Sequence, residues 1–192
     1  MSRFDEEAKE WDKNSRRQAL AEAVAKGVIE AVPAKRYDIL DVGCGTGLVS
    51  YNLLPIAKRI TGLDTSQKMV EEFNKKSTSP HIRAYCKPLE KCNTQCDLIV
   101  SSMTLHHIRD IERFFHIAAR HMGEYLFIAD LFEEDGTFHD AGNEGVWHFG
   151  FDPQKLALMA RDHGFEQLVC KEIFTIQKHQ DFPVFLLGLR RL

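Results

Sequence analysis

Several signatures of familiar protein classes are missing from this chain, and each absence narrows what it does. There is no basic excess: 28 acidic against 25 basic residues leave a net charge of -3 over 192 residues, so the positive face of a nucleic-acid binder is not expected. There is no apolar leader, since "MSRFDEEAKEWDKNSRR" is charged from the start, and the C-terminal run "FPVFLLGL" is far too short to span a bilayer. A cytoplasmic chain without a membrane partner is the expectation. The five cysteines, Cys44, Cys86, Cys92, Cys96 and Cys170, are odd in number and form no tandem pattern, which suits reduced thiols better than a disulfide framework. Repeats and low-complexity linkers are also lacking, so residues 1–192, with 44% hydrophobic content, read as one domain with one core.

What is present is an alternation of strand-length apolar runs with helix-length periodic segments, the βαβα pattern of an α/β fold. An amphipathic helical region, "QALAEAVAKGVIEAV", is closed by Pro33, and 37–42 reads as a first strand. A short helix over 48–54, a strand over 59–63 and the helix "QKMVEEFNKK" come next, with Thr65 or Ser66 as its N-cap. Further strands are expected at 81–85, in "CDLIVSSM" and in "EYLFIAD", with a helix over 111–122. This is a Rossmann-like, doubly wound sheet with helices on both faces. Asp152-Pro153 starts a last helix and Gly164 stops it. The runs 165–176 and 182–189 are joined by "QKHQD", too short for a helical crossover, so they should pair antiparallel. The parts are an N-terminal helical region (1–32), an alternating core (33–130), a long insertion (131–151) and a helix plus terminal hairpin (152–192).

Directly after the first strand stands "DVGCGTGL", 41–48, three glycines in five positions. Glycine lets a ligand approach backbone where a Cβ would collide. The spacing lacks the third glycine of G-x-G-x-x-G, because Leu48 stands there, and no lysine comes after it as in a P-loop, so neither a dinucleotide nor a triphosphate is favoured. Asp64 ends the second strand about 20 residues on, where an acidic side chain reaches ribose hydroxyls. Its other reading is a cap for the next helix.

In this order, "ILDVGCGTG", "ITGLDTSQKMV", "CDLIVSSMTLHHI" and "YLFIAD" resemble the class I S-adenosylmethionine-dependent methyltransferases over roughly residues 37–130. The resemblance implies a seven-stranded sheet of order 3-2-1-4-5-7-6 with strand 7 antiparallel. It implies S-adenosylmethionine as cofactor and S-adenosylhomocysteine as product. Gly43, Gly45 and Gly47 would line the methionine moiety and Asp41 would sit near its ammonium. Asp64 would hold the ribose, with Thr65 and Met69 near the adenosine. Where the family often carries a carboxylate beside the adenine amino group, this chain has Cys86, with Leu89 as an apolar contact. Ser101 and Ser102 would face the methionine and the substrate.

An activated methyl group needs mainly a nucleophile held in line and water excluded. A general base is required only when the acceptor holds its proton tightly, and should lie beyond the fourth and fifth strands. His106 and His107, and His139 and His148 in the long 131–151 segment, lie there; each is either functional or hydrogen-bonded to nearby backbone. His106 and His139 are the catalytic candidates, and His107 and His148, with Ser102, the substrate-side ones. Trp11 either caps the site from an N-terminal helix or packs on the core, and Trp147, Phe149 and Phe151 either line an acceptor pocket or anchor their segment. No H-x-x-x-H or C-x-x-C spacing organises the histidines, and Cys92 and Cys96 stand alone, so no metal is expected.

The acceptor motif [DN]-P-P-[YF] is absent, "SSMT" standing in its place, which disfavours exocyclic or amide nitrogen. A small-molecule acceptor is expected, methylated on oxygen, nitrogen, sulfur or carbon. Two other readings remain: a catalytically silent subunit that binds the same cofactor, and an NAD(P)-dependent oxidoreductase, which the glycine spacing already disfavours.

Overall fold

Strands that are apolar on both sides need cover on both sides, and the central strands of this chain read that way. The computed structural model describes residues 3–140 and 142–192. In chain order it holds α1 (Arg3–Glu7), α2 (Ser15–Ala31), β1 (Tyr37–Val42), α3 (Leu48–Asn52), β2 (Ala57–Asp64), α4 (Gln67–Lys76), β3 (Ile82–Cys86), β4 (Cys96–Ser102), α5 (Ile111–His121), β5 (Met122–Leu131), α6 (Pro153–Asp162), β6 (Phe165–Gln177) and β7 (Asp181–Arg191). The strands form one sheet of order 3-2-1-4-5-7-6. All neighbours are parallel except β7, which runs antiparallel to both β5 and β6.

Side-chain alternation along the strands feeds two cores. Ile39, Leu98, Phe127 and Leu186 meet Val24 and Val28 of α2 on one face. Leu40, Ile99, Leu126 and Leu187 meet Phe114 and Phe115 of α5 and Leu156 of α6 on the other. Each fully buried phenylalanine removes enough apolar surface to contribute about 2–3 kcal/mol.

Helix starts obey cap chemistry. The Ser66 hydroxyl accepts from Met69 N–H, Asp110 from Arg113 N–H and Asp152 from Gln154 N–H. α2 begins three residues before the expected apolar stripe because the Asn14 side chain accepts from Arg16 and Arg17 N–H. The helix expected over 48–54 ends at Asn52 and tightens into a 3₁₀ turn at Leu54–Ile56, where Pro55 stands at the first turn. The remaining differences are shifts of one or two residues at element ends. No helix among the described residues is long and apolar enough to cross a membrane.

The sheet order reverses between β1 and β4. Their carboxyl ends part there and leave a crevice at the switch point.

Candidate active site

The site is built from the turns at the carboxyl ends of the strands, beginning with the first. After β1 the chain turns through Gly43, Gly45 and Gly47 with φ of +74°, +52° and +92°, a left-handed region that favours glycine. The three do different work. A Cβ on Gly43 would overlap Thr104, and one on Gly47 would lie 2.6 Å from Phe73, so these two glycines admit neighbouring protein. Gly45 has open space on that side. The turn is fastened by Gly43 and Cys44 N–H groups donating to Leu63 O at 2.8 and 3.0 Å.

Two carboxylates face the turn. Asp64, at the end of β2, accepts from Gly45 N–H through one oxygen and from Ser66 N–H through the other, both at 2.8 Å. Burial pushes its carboxyl up, against the pull of those backbone N–H groups. Asp41, at the end of β1, is buried and accepts from Ser50 Oγ at 2.6 Å. Burial raises its carboxyl to about 7, with the charge of Asp64 adding and the Ser50 hydrogen bond opposing. Cys44 nearby is no nucleophile, because burial holds its thiol well above the ordinary range.

A cavity of about 490 Å³ opens from this turn towards the carboxyl end of β4. Of the expected cofactor residues, Asp41, Gly43, Gly45, Asp64, Thr65, Met69 and Leu89 line it. Gly47, Cys86 and Ser101 do not: Gly47 backs onto Phe73, Cys86 is exposed with Sγ 3.5 Å from Thr65 O, and Ser101 is buried with its hydroxyl donating to Val42 O at 3.1 Å. The segment after β3 does put a carboxylate on the wall, that of Glu90.

Of the substrate-side candidates, Trp11, Ser102 and His107 line the cavity. His148 does not; its Nε2 lies 3.0 Å from Ile108 O and its ring packs against Phe151. His106 and His139 sit behind the wall. His106 Nδ1 lies 2.7 Å from Asp130 Oδ1, with both side chains shut off from solvent. The His106 ring is 4.1 Å from that of His107 and 5.2 Å from that of His139. The 131–151 segment is tied to this point, as Trp147 and His148 N–H donate to His106 O. Trp147 lines the cavity mouth with the Arg109 guanidinium over its ring at 4.9 Å, whereas Phe151 is buried in the core.

The roof comes from the N-terminus. Phe4, Trp11 and Arg17 line the cavity, with the Arg17 guanidinium 3.5 Å over the Trp11 ring and Phe4 edge-on to His107 at 5.5 Å. Two carboxylates latch this roof: Asp5 accepts from Ser66 Oγ at 2.7 Å, and Asp12 accepts from Thr46 Oγ1 and from Lys76 Nζ. Met103 and Thr104 were not legible as lining residues. Met103 adopts φ +50°, rare for a residue with a side chain, and the only available signal was its place just past the fourth strand.

Comparison with known proteins bears on the domain and the fold. Residues 40–124 match the family model described as a methyltransferase domain. An uncharacterized methyltransferase of Schizosaccharomyces pombe is 36% identical over 140 residues, covering 62% of this chain and 49% of that one. A malonyl-acyl-carrier-protein O-methyltransferase of Acetivibrio thermocellus is 30% identical over 113 residues, covering 56% and 40%. The chain therefore spans about half or less of the length of these curated relatives. In fold it is similar to the magnesium protoporphyrin IX methyltransferase of Synechocystis PCC 6803 crystallised with bound S-adenosylmethionine, with a TM-score of 0.71 and 16% identity over 100% of this chain and 86% of that one. Neither the silent-subunit nor the oxidoreductase reading gains from these likenesses.

Proposed function

We propose that this chain, a class I S-adenosylmethionine-dependent methyltransferase by its domain and its fold, methylates a small molecule held in the cavity between the glycine turn and the histidines. The observation that carries this reading is the cavity itself. It runs from Asp41, Gly45 and Asp64 at one end to His107 and Trp147 at the other, under a roof of Phe4 and Trp11. Its volume falls within the roughly 300–1,000 Å³ usual for small-molecule sites.

The residues present suit the cofactor. Asp41 is a buried carboxylate on the cavity wall whose hydrogen-bond partner is a neutral hydroxyl, and an ammonium beside it would restore its charge. Asp64 stands where ribose hydroxyls would donate, and Gly45 leaves the backbone bare towards the ligand. Bound there, S-adenosylmethionine supplies an activated methyl group. The chain's own part is to hold the acceptor in line, to keep water out with the Trp11 roof, and to receive a proton at the histidine end when the acceptor is a hydroxyl or thiol. Relatives that methylate oxygen make an oxygen acceptor the first class to try.

Incubation with cofactor labelled in its methyl group and a fractionated metabolite extract tests the proposal. Protein-dependent transfer of label into a small-molecule fraction is expected. Stabilisation by S-adenosylhomocysteine without any transfer across broad extracts would leave a binding subunit instead, and stabilisation by NADH alone would end both readings.

A further inference from the structure

His106, His107 and His139 each place one ring nitrogen so that all three lie within 4.8 Å of one another. The first two come from the turn after β4 and the third from the segment after β5, so no spacing along the chain announces the group. The tautomers are set by their other partners. His106 Nδ1 faces the Asp130 carboxylate at 2.7 Å, and His107 Nδ1 faces the Gly145 carbonyl at 2.8 Å. Both partners only accept, so in the neutral rings both Nδ1 atoms carry the proton.

His106 Nε2 is buried and has no hydrogen-bond partner among the described residues, its ring packed against the other two imidazoles. A carboxylate behind one histidine and a carbonyl behind the next are the outer partners that orient metal-bound imidazoles. We infer that His106, His107 and His139 form a binding site for a divalent transition ion, of the borderline class that imidazole favours, with its open position on the cavity side where His107 lies. Nitrogens on a tetrahedral ion stand about 3.4 Å apart, so ring rotations of about an ångström close the present triangle. His139 rides on the 131–151 segment and supplies that adjustment. Such an ion would supply Lewis acidity at the acceptor end in place of a histidine base, because a ligating imidazole has no lone pair left to take a proton.

The role at the acceptor rests on the methyl-transfer reading; the metal site does not. The probe is cobalt(II), added to tag-free, chelator-treated protein and tracked by its visible ligand-field absorption, with zinc(II) competing. We expect about one cobalt per chain, displaced by zinc, and binding at least about tenfold weaker in both His139→Ala and His107→Ala. Circular dichroism checks that each variant is folded, and retained S-adenosylhomocysteine binding by His139→Ala, whose side chain lies off the cavity wall, checks the rest of the site. Absence of the band in the wild type, or a band of equal strength in both variants, overturns the site. A chain that binds cobalt but never transfers a methyl group ends the activity reading alone.

Discussion

Thr104, on the turn after β4, lies so close to Gly43, on the turn after β1, that no side chain fits between them. The two turns that frame the switch point thus touch through a bare backbone. Gly43→Ala forces both an overlap and a strained φ, and should cost about 2–4 kcal/mol with loss of S-adenosylhomocysteine binding. Adding Thr104→Gly should recover the overlap part and leave the backbone part. Denaturant unfolding of the two single variants and the double variant reads this directly, and an unaltered Gly43→Ala protein would contradict the contact.

Asp41 makes stability and binding pull in opposite directions. Its carboxyl is raised to about 7 by burial, so the fold binds a proton there that the unfolded chain has already released. Its contribution is fully present below the ordinary carboxylate range and is lost as pH rises through about 7. The raised carboxyl of Asp64 acts in the same direction. Asp41→Asn should therefore be more stable above pH 7, by up to about 4 kcal/mol, while binding S-adenosylhomocysteine more weakly. In the wild type, affinity for that ammonium-bearing ligand should fall as pH drops through about 7. Thermal unfolding and calorimetric titration across pH test both halves.

The N-terminal roof is held by single side chains. Asp12→Ala removes the acceptor of Thr46 Oγ1 and Lys76 Nζ together; the part-buried Thr46 bond contributes about 1 kcal/mol and the solvent-screened Lys76 pair about 0–1 kcal/mol. Cleavage by a protease within residues 8–14 should accelerate by at least about tenfold, with global unfolding little changed. Trp11→Ala should raise KM for cofactor or acceptor more than it lowers kcat. Equal proteolysis of wild type and Asp12→Ala would show that other contacts hold the roof.

The half of the site made by local pattern was legible in the sequence. The glycine turn and Asp64 announce themselves because one strand, one turn and one helix start place them, and the strand order came from the same punctuation. Asp64 braces the glycine turn through Gly45 N–H and the approach to α4 through Ser66 N–H, while Ser66 itself caps that helix. Cys86 ends β3 one residue before the wall, which Lys87 to Glu90 form, and its thiol turns to Thr65 O instead. The histidine cluster was out of reach for a different reason. His139 lies 32 residues past His107, and only the packing of the 131–151 segment onto His106 O brings the rings together. Arg17 and Arg109 carry no spacing signal; they become lining residues through tertiary contacts.

The cavity's two ends draw on separate stretches of chain. Asp41, Gly45 and Asp64 depend on β1 and β2, whereas His107 and Trp147 depend on the turn after β4 and on the long span before α6. The long span meets β7 through Phe132 N–H donating to Pro183 O and the turn after β4 through His106 O, away from the glycine turn. A sequence can therefore be rewritten between Phe132 and Gly150 without loosening the grip on the nucleoside. The scaffold is in effect a fixed handle with an exchangeable tool head, and the tool head is where a change of acceptor would be written.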